Sequence, residues 1–393
     1  MFEPPTKIPD PDAPIRATDN DAAIARLSAV RKGYLIDPYI AALVPRAHLQ
    51  QPRAPLINIG TYLRSRGIDH LVDGWLRLAG GRKVQIVSLG AGSDTRYWRL
   101  ANGPHAAQLQ RYIEIDFAEN TSRKIMSIRK NRVLNAALGN GGSADNVFVG
   151  GGGTVLRAPV YNLFPADLRS PPATSLAPIL TSRSAAAGNA GAGDIHDVDD
   201  DERPMLSPTL PTLLLFECVL AYMDPAGSDA LVRWFVDYFV SAPPHAGAPL
   251  GAIVYEMFKL NDAFGRVMLN NLKSRNVSLP GAEPYRDLAS LSRRLLDSGF
   301  ATAQAVTLRE VRRRYVEPRE LQRLAQLELL DEVEELELVL DHYAISWGVR
   351  FPEGWREGGG DNAKGGWEKT RKRRNVHSIA RRQGGMWVPY EPG

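Results

Sequence analysis

The sequence predicts an α/β fold: a doubly wound, mostly parallel sheet behind an N-terminal helical lid, interrupted by disordered insertions. Three observations predict it. Apolar runs rich in β-branched residues, at 84–89, 212–216 and 252–258, read as strands buried on both faces. Segments of helical periodicity alternate with them. The first run passes directly into Gly90-Ala91-Gly92 and then the helix-start residues Ser93, Asp94 and Thr95. Strand, glycine turn and helix in that order build a ligand crevice at the carboxyl end of a first strand. Ordinary strand-to-helix turns also carry a Gly-x-Gly, so the rest of the chain has to decide the reading.

Composition narrows the class. A chain of 393 residues suits one large domain with additions, or two domains, and 44% hydrophobic content supports a full core. No run of about 18 apolar residues occurs, so no membrane span is expected. The first residues lack the apolar centre of a secretory signal. A single cysteine, Cys218, excludes an internal disulfide and a cysteine-based zinc site, and fits a reducing compartment, cytoplasmic or also nuclear. The seven histidines show no ligand spacing, so no metal is expected. The net charge of +4 is unevenly held: residues 354–393 carry nine basic against four acidic side chains, leaving −1 on residues 1–353. A nearly neutral body argues against nucleic acid as a partner.

In chain order, residues 1–20 are rich in proline and charge and are expected to form a flexible arm. Helical patterns then fill the segment to residue 80, at Asp21–Tyr34, Ile40–Val44, Asn58–Arg66 and His70–Leu78, the last two separated at Gly67. This lid carries Arg26 and Arg64, which can reach an anion in the crevice, and Arg31 and Arg66, read as solvated. Arg111–Ile115 is a second strand ending at Asp116, whose carboxylate suits both hydroxyls of a ribose or the cap of the next helix. The glycine-rich stretch 139–153 is read as a disordered insertion, not a phosphate cradle, because no Gly-Lys-Ser/Thr follows. Ala158–Tyr161 is a third strand, and Asp167 and Leu168 fall where an adenine ring would be held beyond its end. Residues 170–207, with an acidic run, form a second disordered insertion. Glu217 directly follows the strand Thr212–Phe216, where a carboxylate needs a partner, and Cys218 beside it reads as a small buried residue. A helix to Val240, a strand at Ala252–Phe258, helices at Phe264–Arg275 and Tyr285–Ser298, and a strand at Thr302–Thr307 follow. A long helix spans Leu308–Leu340, and His342–Trp347 is a final strand, antiparallel at the sheet edge. Residues 354–393, with the basic cluster Arg371 to Arg374, read as a solvated tail.

Five αβ units and a closing hairpin fit the seven-stranded sheet of S-adenosylmethionine-dependent methyltransferases. The residues then become specific. SAVRKGYLIDPYI, APLINIGTYLRSRGI, QIVSLGAGSDTRYWRL, YIEIDF, ADLR, LPTLLLFECVLAYM, YEMFKLNDAFGRVMLNNL and LELLDEVEELELVLDHYAISW run in order between about residues 21 and 348. In these stretches the chain resembles the leucine carboxyl methyltransferase family, which esterifies the C-terminal leucine of type 2A protein phosphatase catalytic subunits. The resemblance implies S-adenosylmethionine as cofactor, the phosphatase C-terminal tail as partner, and a monomer. It implies that Gly90 lets the donor's methionine portion approach, Asp116 holds the ribose, Asp167 and Leu168 hold the adenine, and Glu217 lines the pocket. Arg64 would hold the donor's carboxylate, and Arg26 stands where the family uses a basic residue, often lysine. Ile59 stands where members often have arginine, and Arg96 where they have threonine.

A carboxylate is ionised near neutral pH and needs no general base to attack a methyl group. The sequence accordingly shows no nucleophile–base pair. A positive group should orient the incoming carboxylate, with Arg64, Arg26 and Arg99 as candidates and Tyr222 as a further donor. Three rivals remain at this point. A methyltransferase acting on a transfer-RNA base would carry a C-terminal kelch propeller, and no internal repeat occurs here. A nicotinamide-dependent dehydrogenase would want a third glycine where Arg96 stands. A phosphatase-binding scaffold without chemistry would not need Gly90, Asp116 and Glu217.

Overall fold

The computed structural model of the chain describes residues 10–138, 146–182, 204–242, 247–352 and 355. Its first helices are α1 (Ala13–Arg31), α2 (Ile40–Leu43) and α3 (Pro55–Leu78). There follow β1 (Val84–Leu89), α4 (Arg96–Ala101), β2 (Leu109–Asp116), α5 (Ala118–Lys130) and α6 (Arg132–Ala136). The short strands β3 (Phe148–Gly150), β4 (Val155–Arg157) and β5 (Tyr161–Pro165) precede α7 (Pro172–Ser175) and α8 (Ala177–Leu180). Then come β6 (Thr212–Glu217), α9 (Pro225–Val240), β7 (Leu250–Met257), α10 (Ala263–Lys273), α11 (Leu288–Asp297) and β8 (Thr302–Thr307). The chain closes with α12 (Leu308–Arg314), α13 (Pro318–Ala325), α14 (Val333–Asp341) and β9 (Tyr343–Arg350).

One sheet holds all nine strands in the order β3-β4-β5-β2-β1-β6-β7-β9-β8. The run from β5 to β7 is parallel, and β9 is antiparallel to both β7 and β8. These seven strands are the expected doubly wound sheet. The other two lie in and just after the glycine-rich stretch: β3, inside it, and β4, just past it, form a hairpin against β5, so residues 148–157 extend the sheet instead of leaving it.

Alternation along the strands sorts the core into two layers. Ile86, Leu213, Leu215 and Ile253 pack under α3, α4 and the α12–α14 layer; Val87, Leu89, Leu214 and Phe216 pack under α9 and α11. The central strands are therefore buried on both faces, which is why they read as unbroken apolar runs.

Several boundaries differ from the sequence reading. The final strand is not at the edge: β9 is buried over most of its length and pairs on both sides, whereas β8, with half-exposed Thr302, Ala303 and Gln304, takes the edge. An apolar strand needs two neighbours; a polar one tolerates water. The arm expected over 1–20 is helical from Ala13, started by Pro14 in the first turn. Gly67 does not break α3, because the buried stripe Leu63, Ile68, Leu71, Val72 and Trp75 outweighs the ~1 kcal/mol a helical glycine costs. The third strand begins at Tyr161, where the earlier segment ends, because Ala158–Val160 turn the chain out of β4. The long helix at 308–340 is three, α12, α13 and α14, interrupted before Pro318 and around Asp331. Within the second insertion, α7 and α8 form, and Met205 and Leu206 are buried in the α9 layer. Residues 139–145, 183–203 and the basic cluster at 371–374 lie outside the described residues.

The fold places α3 across the sheet with a close approach to β7. A Cβ on Gly251 of β7 would stand 2.7 Å from the Trp75 ring and 3.1 Å from Leu213 Cδ1. Eleven residues back along α3, about 16 Å, the Arg64 guanidinium lies 4.8 Å over the Tyr255 ring of the same strand. Gly251→Val should therefore lift α3, costing about 1–3 kcal/mol in urea unfolding. A loss below about 0.5 kcal/mol would show that α3 is seated elsewhere.

Candidate active site

A cavity of about 750 Å³ opens at the carboxyl ends of β1, β2, β5 and β6, roofed by α1 and α3 and walled by α10. It sits where the sheet order reverses about β1, the switch point at which open α/β sheets bind ligands.

The glycine turn forms its floor. Gly90 leaves β1 at φ +65°, its N–H donating to the Ile115 carbonyl at 2.7 Å. A Cβ there would stand 2.6 Å from Val219 Cγ2. Gly92, at φ +47°, donates its N–H to Asp116 Oδ2 at 2.7 Å. Asp116 Oδ1 accepts from the Phe117 N–H and from Asn120 Nδ2, both at 2.7 Å. Burial pushes the Asp116 carboxyl up, and these three N–H donors oppose it. A carboxylate offers about four acceptor positions, so Asp116 keeps capacity toward the cavity. From the roof, Asp19 of α1 accepts from the Ser93 N–H at 2.6 Å and from Ser93 Oγ at 3.0 Å.

Beyond β5, Asp167 and Leu168 face the cavity. Arg169 binds both Asp167, through Nη2 at 2.7 Å, and Asp12 at the start of α1, at 2.6 and 2.8 Å. Its guanidinium lies 5.2 Å from the centre of the Phe117 ring. The lid's first turn is thus tied to the segment that would carry an adenine.

Glu217 ends β6 on the opposite wall. Its Oε1 accepts from Arg64 Nε at 2.5 Å and its Oε2 from Arg96 Nη2 at 3.2 Å. Burial opposes its charge, and the two arginines override burial, holding it ionised well below the usual carboxylate range. Arg96, 1% exposed, also binds Asp94 through Nη1 and Asp69 through Nε at 3.1 Å. Arg26 donates Nε to Asp37 Oδ2 at 2.6 Å and Nη1 to Ser65 Oγ at 2.9 Å. Burial disfavours the Asp37 charge, yet Arg26 and Thr95 hold its carboxyl below the ordinary value.

Cys218 takes the left-handed region at φ +58°, its N–H donating to the Tyr255 carbonyl at 2.7 Å. That strain, of order 1–3 kcal/mol, turns the chain at once from Glu217 into the turn bearing Tyr222. Burial raises the thiol to about 11, which makes it inert. Burial likewise raises Tyr222 to about 12, so its phenol keeps its proton and can donate. The far end of the cavity is apolar, lined by Met257 and by Phe264, Val267, Met268 and Leu272 on or beside α10. At its mouth Asp21 lies between Arg275 and Arg53.

The comparisons fit this geometry. The leucine carboxyl methyltransferase model matches residues 15–177. Leucine carboxyl methyltransferase 1 of Cryptococcus neoformans var. neoformans is 42% identical over 375 residues, covering 88% of this chain and 97% of its own. The Aspergillus fumigatus protein of that name is 40% identical, covering 91% and 87%, and the Bos taurus protein 34%, covering 86% and 90%. The chain belongs to the leucine carboxyl methyltransferase family. It is a methyltransferase, and its methyl donor is S-adenosylmethionine.

A nucleoside sulfonium fits what the cavity offers: a glycine floor that a Cβ would fill, a carboxylate with spare acceptor capacity, and half-buried arginines in the same lining. The structure brings together Arg26, Arg64, Gly90, Asp116, Asp167, Leu168, Glu217 and Tyr222 around this methyltransferase cavity. It does not bring Arg99 there, contrary to the sequence expectation. One helical turn past Arg96, Arg99 binds Asp69 on α3 through Nη1 and, at 3.1 Å, Nη2, so it braces Arg96's partner outside the cavity. Arg64 and Arg26 enter it already paired to Glu217 and Asp37. The sequence reading missed Asp12, Asp19 and Arg169 because it started the first helix at Asp21; Pro14 after Asp12 was the available signal. It missed Asp37 and Asp69 because their partners are distant in sequence.

Asp116→Asn keeps the shape and removes the charge. It should weaken S-adenosylhomocysteine binding about 10- to 100-fold by calorimetry, the scale of one lost charge-assisted hydrogen bond. Unchanged affinity would remove Asp116 from the donor site. Glu217 makes a separate, acid-sensitive contribution. Its lowered folded-state pKa gives stability that is present above the ordinary value near 4.3 and lost as pH falls through the lowered one. Glu217→Gln should cost about 3 kcal/mol at pH 7 by leaving Arg64 and Arg96 under-paired. It should also flatten the decline of Tm between pH 5 and pH 3, whereas a parallel decline would place that acid sensitivity elsewhere.

Proposed function

We propose that this chain transfers the methyl group of S-adenosylmethionine to the α-carboxylate of the C-terminal leucine of type 2A protein phosphatase catalytic subunits. The observation that carries the reading is the two-ended cavity in a chain 42% identical to a leucine carboxyl methyltransferase 1 over 97% of that protein. At one end, Asp116 would accept from the donor's ribose hydroxyls, Asp167 from its adenine amine, and Leu168 would lie against the ring. Gly90 would let the donor's methionine portion lie against the backbone, with Arg64 and Arg26 near its carboxylate. At the other, the α10 wall gives a branched aliphatic side chain an apolar surface.

When bound, the donor supplies an electrophilic methyl on a cationic sulfur. The chain's own residues then supply position and dryness, not acid–base work. The acceptor carboxylate is already ionised. A new O–CH₃ bond forms as the S–CH₃ bond breaks, the electron pair goes to sulfur, and both partners end neutral. Because charge vanishes along the path, excluding water helps, and α1 and α3 provide that roof. Holding oxygen, carbon and sulfur in line supplies up to about 7–11 kcal/mol of the barrier. Tyr222 stands between the two ends as a neutral donor for the carboxylate oxygen that does not attack.

The test is transfer of labelled methyl from S-adenosylmethionine to purified phosphatase catalytic subunit. Label should appear as a base-labile ester on the intact subunit and be absent after removal of the terminal leucine. Equal labelling of the truncated subunit would overturn the assignment.

A further inference from the structure

We infer that Arg275, with Arg53 beside it, receives the terminal carboxylate of the acceptor peptide; this deepens the reading just proposed and rests on it. The inference comes from following every arginine at the cavity to its partner. Inside, Arg26 and Arg64 are matched by Asp37 and Glu217 and Arg169 by Asp167 and Asp12, and behind the wall Arg96 and Arg99 are matched by Asp94 and Asp69. Each of those cations is already neutralised by a carboxylate, so Arg64 and Arg26 face the donor as members of ion pairs and bring no uncompensated charge to the acceptor. The mouth is different. Arg275, just past α10, and Arg53, just before α3, both line the cavity and share one carboxylate, Asp21 of α1. Arg275 holds it closely, while Arg53 stands off at 3.6 Å, beyond hydrogen-bonding distance. Glu335, another acid on the cavity wall, makes an ion pair with neither. Two arginines thus share one carboxylate at the mouth, where each interior arginine has at least one of its own.

Its position suits a peptide's end. The side chains of Arg275 and Arg53 are 54% and 39% exposed, so they can swing toward an entering anion without breaking a buried contact. Tyr222 belongs to the same apolar cluster as Met268 and Leu272 of α10, the latter three residues before Arg275, and Tyr222 and Arg275 both line the cavity. Arginine and phenol therefore address the same region of the cavity, next to the apolar α10 wall. A terminal residue with an aliphatic side chain and a free carboxylate presents both features at once. Guanidinium contact with one oxygen leaves the other to attack, and the ester that forms carries no charge for either arginine to hold. Arg275 then returns to Asp21, so the contact that recruits the acid also lets the product go.

The experiment uses the full chain with S-adenosylmethionine and phosphatase catalytic subunit, together with tail peptides ending in leucine as free acid or as carboxamide, tested as inhibitors. For the wild type, the acid should inhibit at least tenfold better than the amide. Arg275→Gln should raise KM for the subunit tenfold or more and bring acid and amide within twofold, with KM for the donor unchanged. Arg275→Lys should restore some of the preference, and the double variant with Arg53→Gln should abolish it. If both Arg275→Gln and the double variant keep the full acid preference, these arginines do not hold the carboxylate. A wild type that transfers nothing to the subunit overturns the underlying reading, and this one with it; a wild type that transfers without preferring the acid overturns this one alone.

Discussion

The structure depends on one electrostatic constraint: a carboxylate ends a buried strand, and two arginines from two helices have to reach it. Glu217 sits where β6 runs out, beside the cavity and largely away from water. An ionised carboxylate in such a place is tolerable only when paired and hydrogen-bonded. Arg64 comes from α3 and Arg96 from α4, so satisfying Glu217 fixes both helices against the sheet. The obligation spreads outward. Arg96 is fully buried and needs Asp94 and Asp69 as well, and Asp69 engages Arg99. The lattice is close to neutral as a whole and rigid in its members. That combination suits a site whose work is alignment of reactants whose charges cancel.

Much of this was legible in the sequence, and the reasons are physical. The central strands are buried on both faces, so they announce themselves as apolar runs. Gly90 and Asp116 were legible because the turn and the strand end make local demands that few residue types meet. Glu217 stood out because a carboxylate directly after a buried strand is anomalous unless partners offset its desolvation. What the sequence hid was pairing at a distance. Nothing near Arg99 says that Asp69, thirty residues away on another helix, already holds it. Nothing near Asp21 says that Arg275 meets it from the far side of the cavity. The edge order of the last strands was equally hidden, because it follows from comparing the burial of β8 with that of β9, not from either alone.

The two ends of the cavity divide the chemistry without a titrating group between them. Cys218 is forced into a strained turn, but its thiol is buried and held protonated, so the strain serves geometry: it turns the chain so that Tyr222 lines the cavity. A phenol that stays protonated across the physiological range gives the same hydrogen bond at any such pH. The reacting oxygen brings its own charge, and the protein adds only direction.

The way α1 is fastened has a kinetic consequence. Its buried residues, Ala23 to Ala29, all lie in its second half. The first half is held by polar contacts: Asp12 to Arg169, Asp19 to Ser93, and Asp21 to Arg275. Partly exposed ion pairs each contribute only about 0–1 kcal/mol and weaken with added salt. The opening turns can thus peel away while the rear of the helix stays docked, like a flap on a glued hinge. Asp12 and Asp19 stand over the nucleoside end, and Asp21 stands beside Arg275. A roof fastened in this way closes more firmly over an occupied nucleoside end than over an empty one.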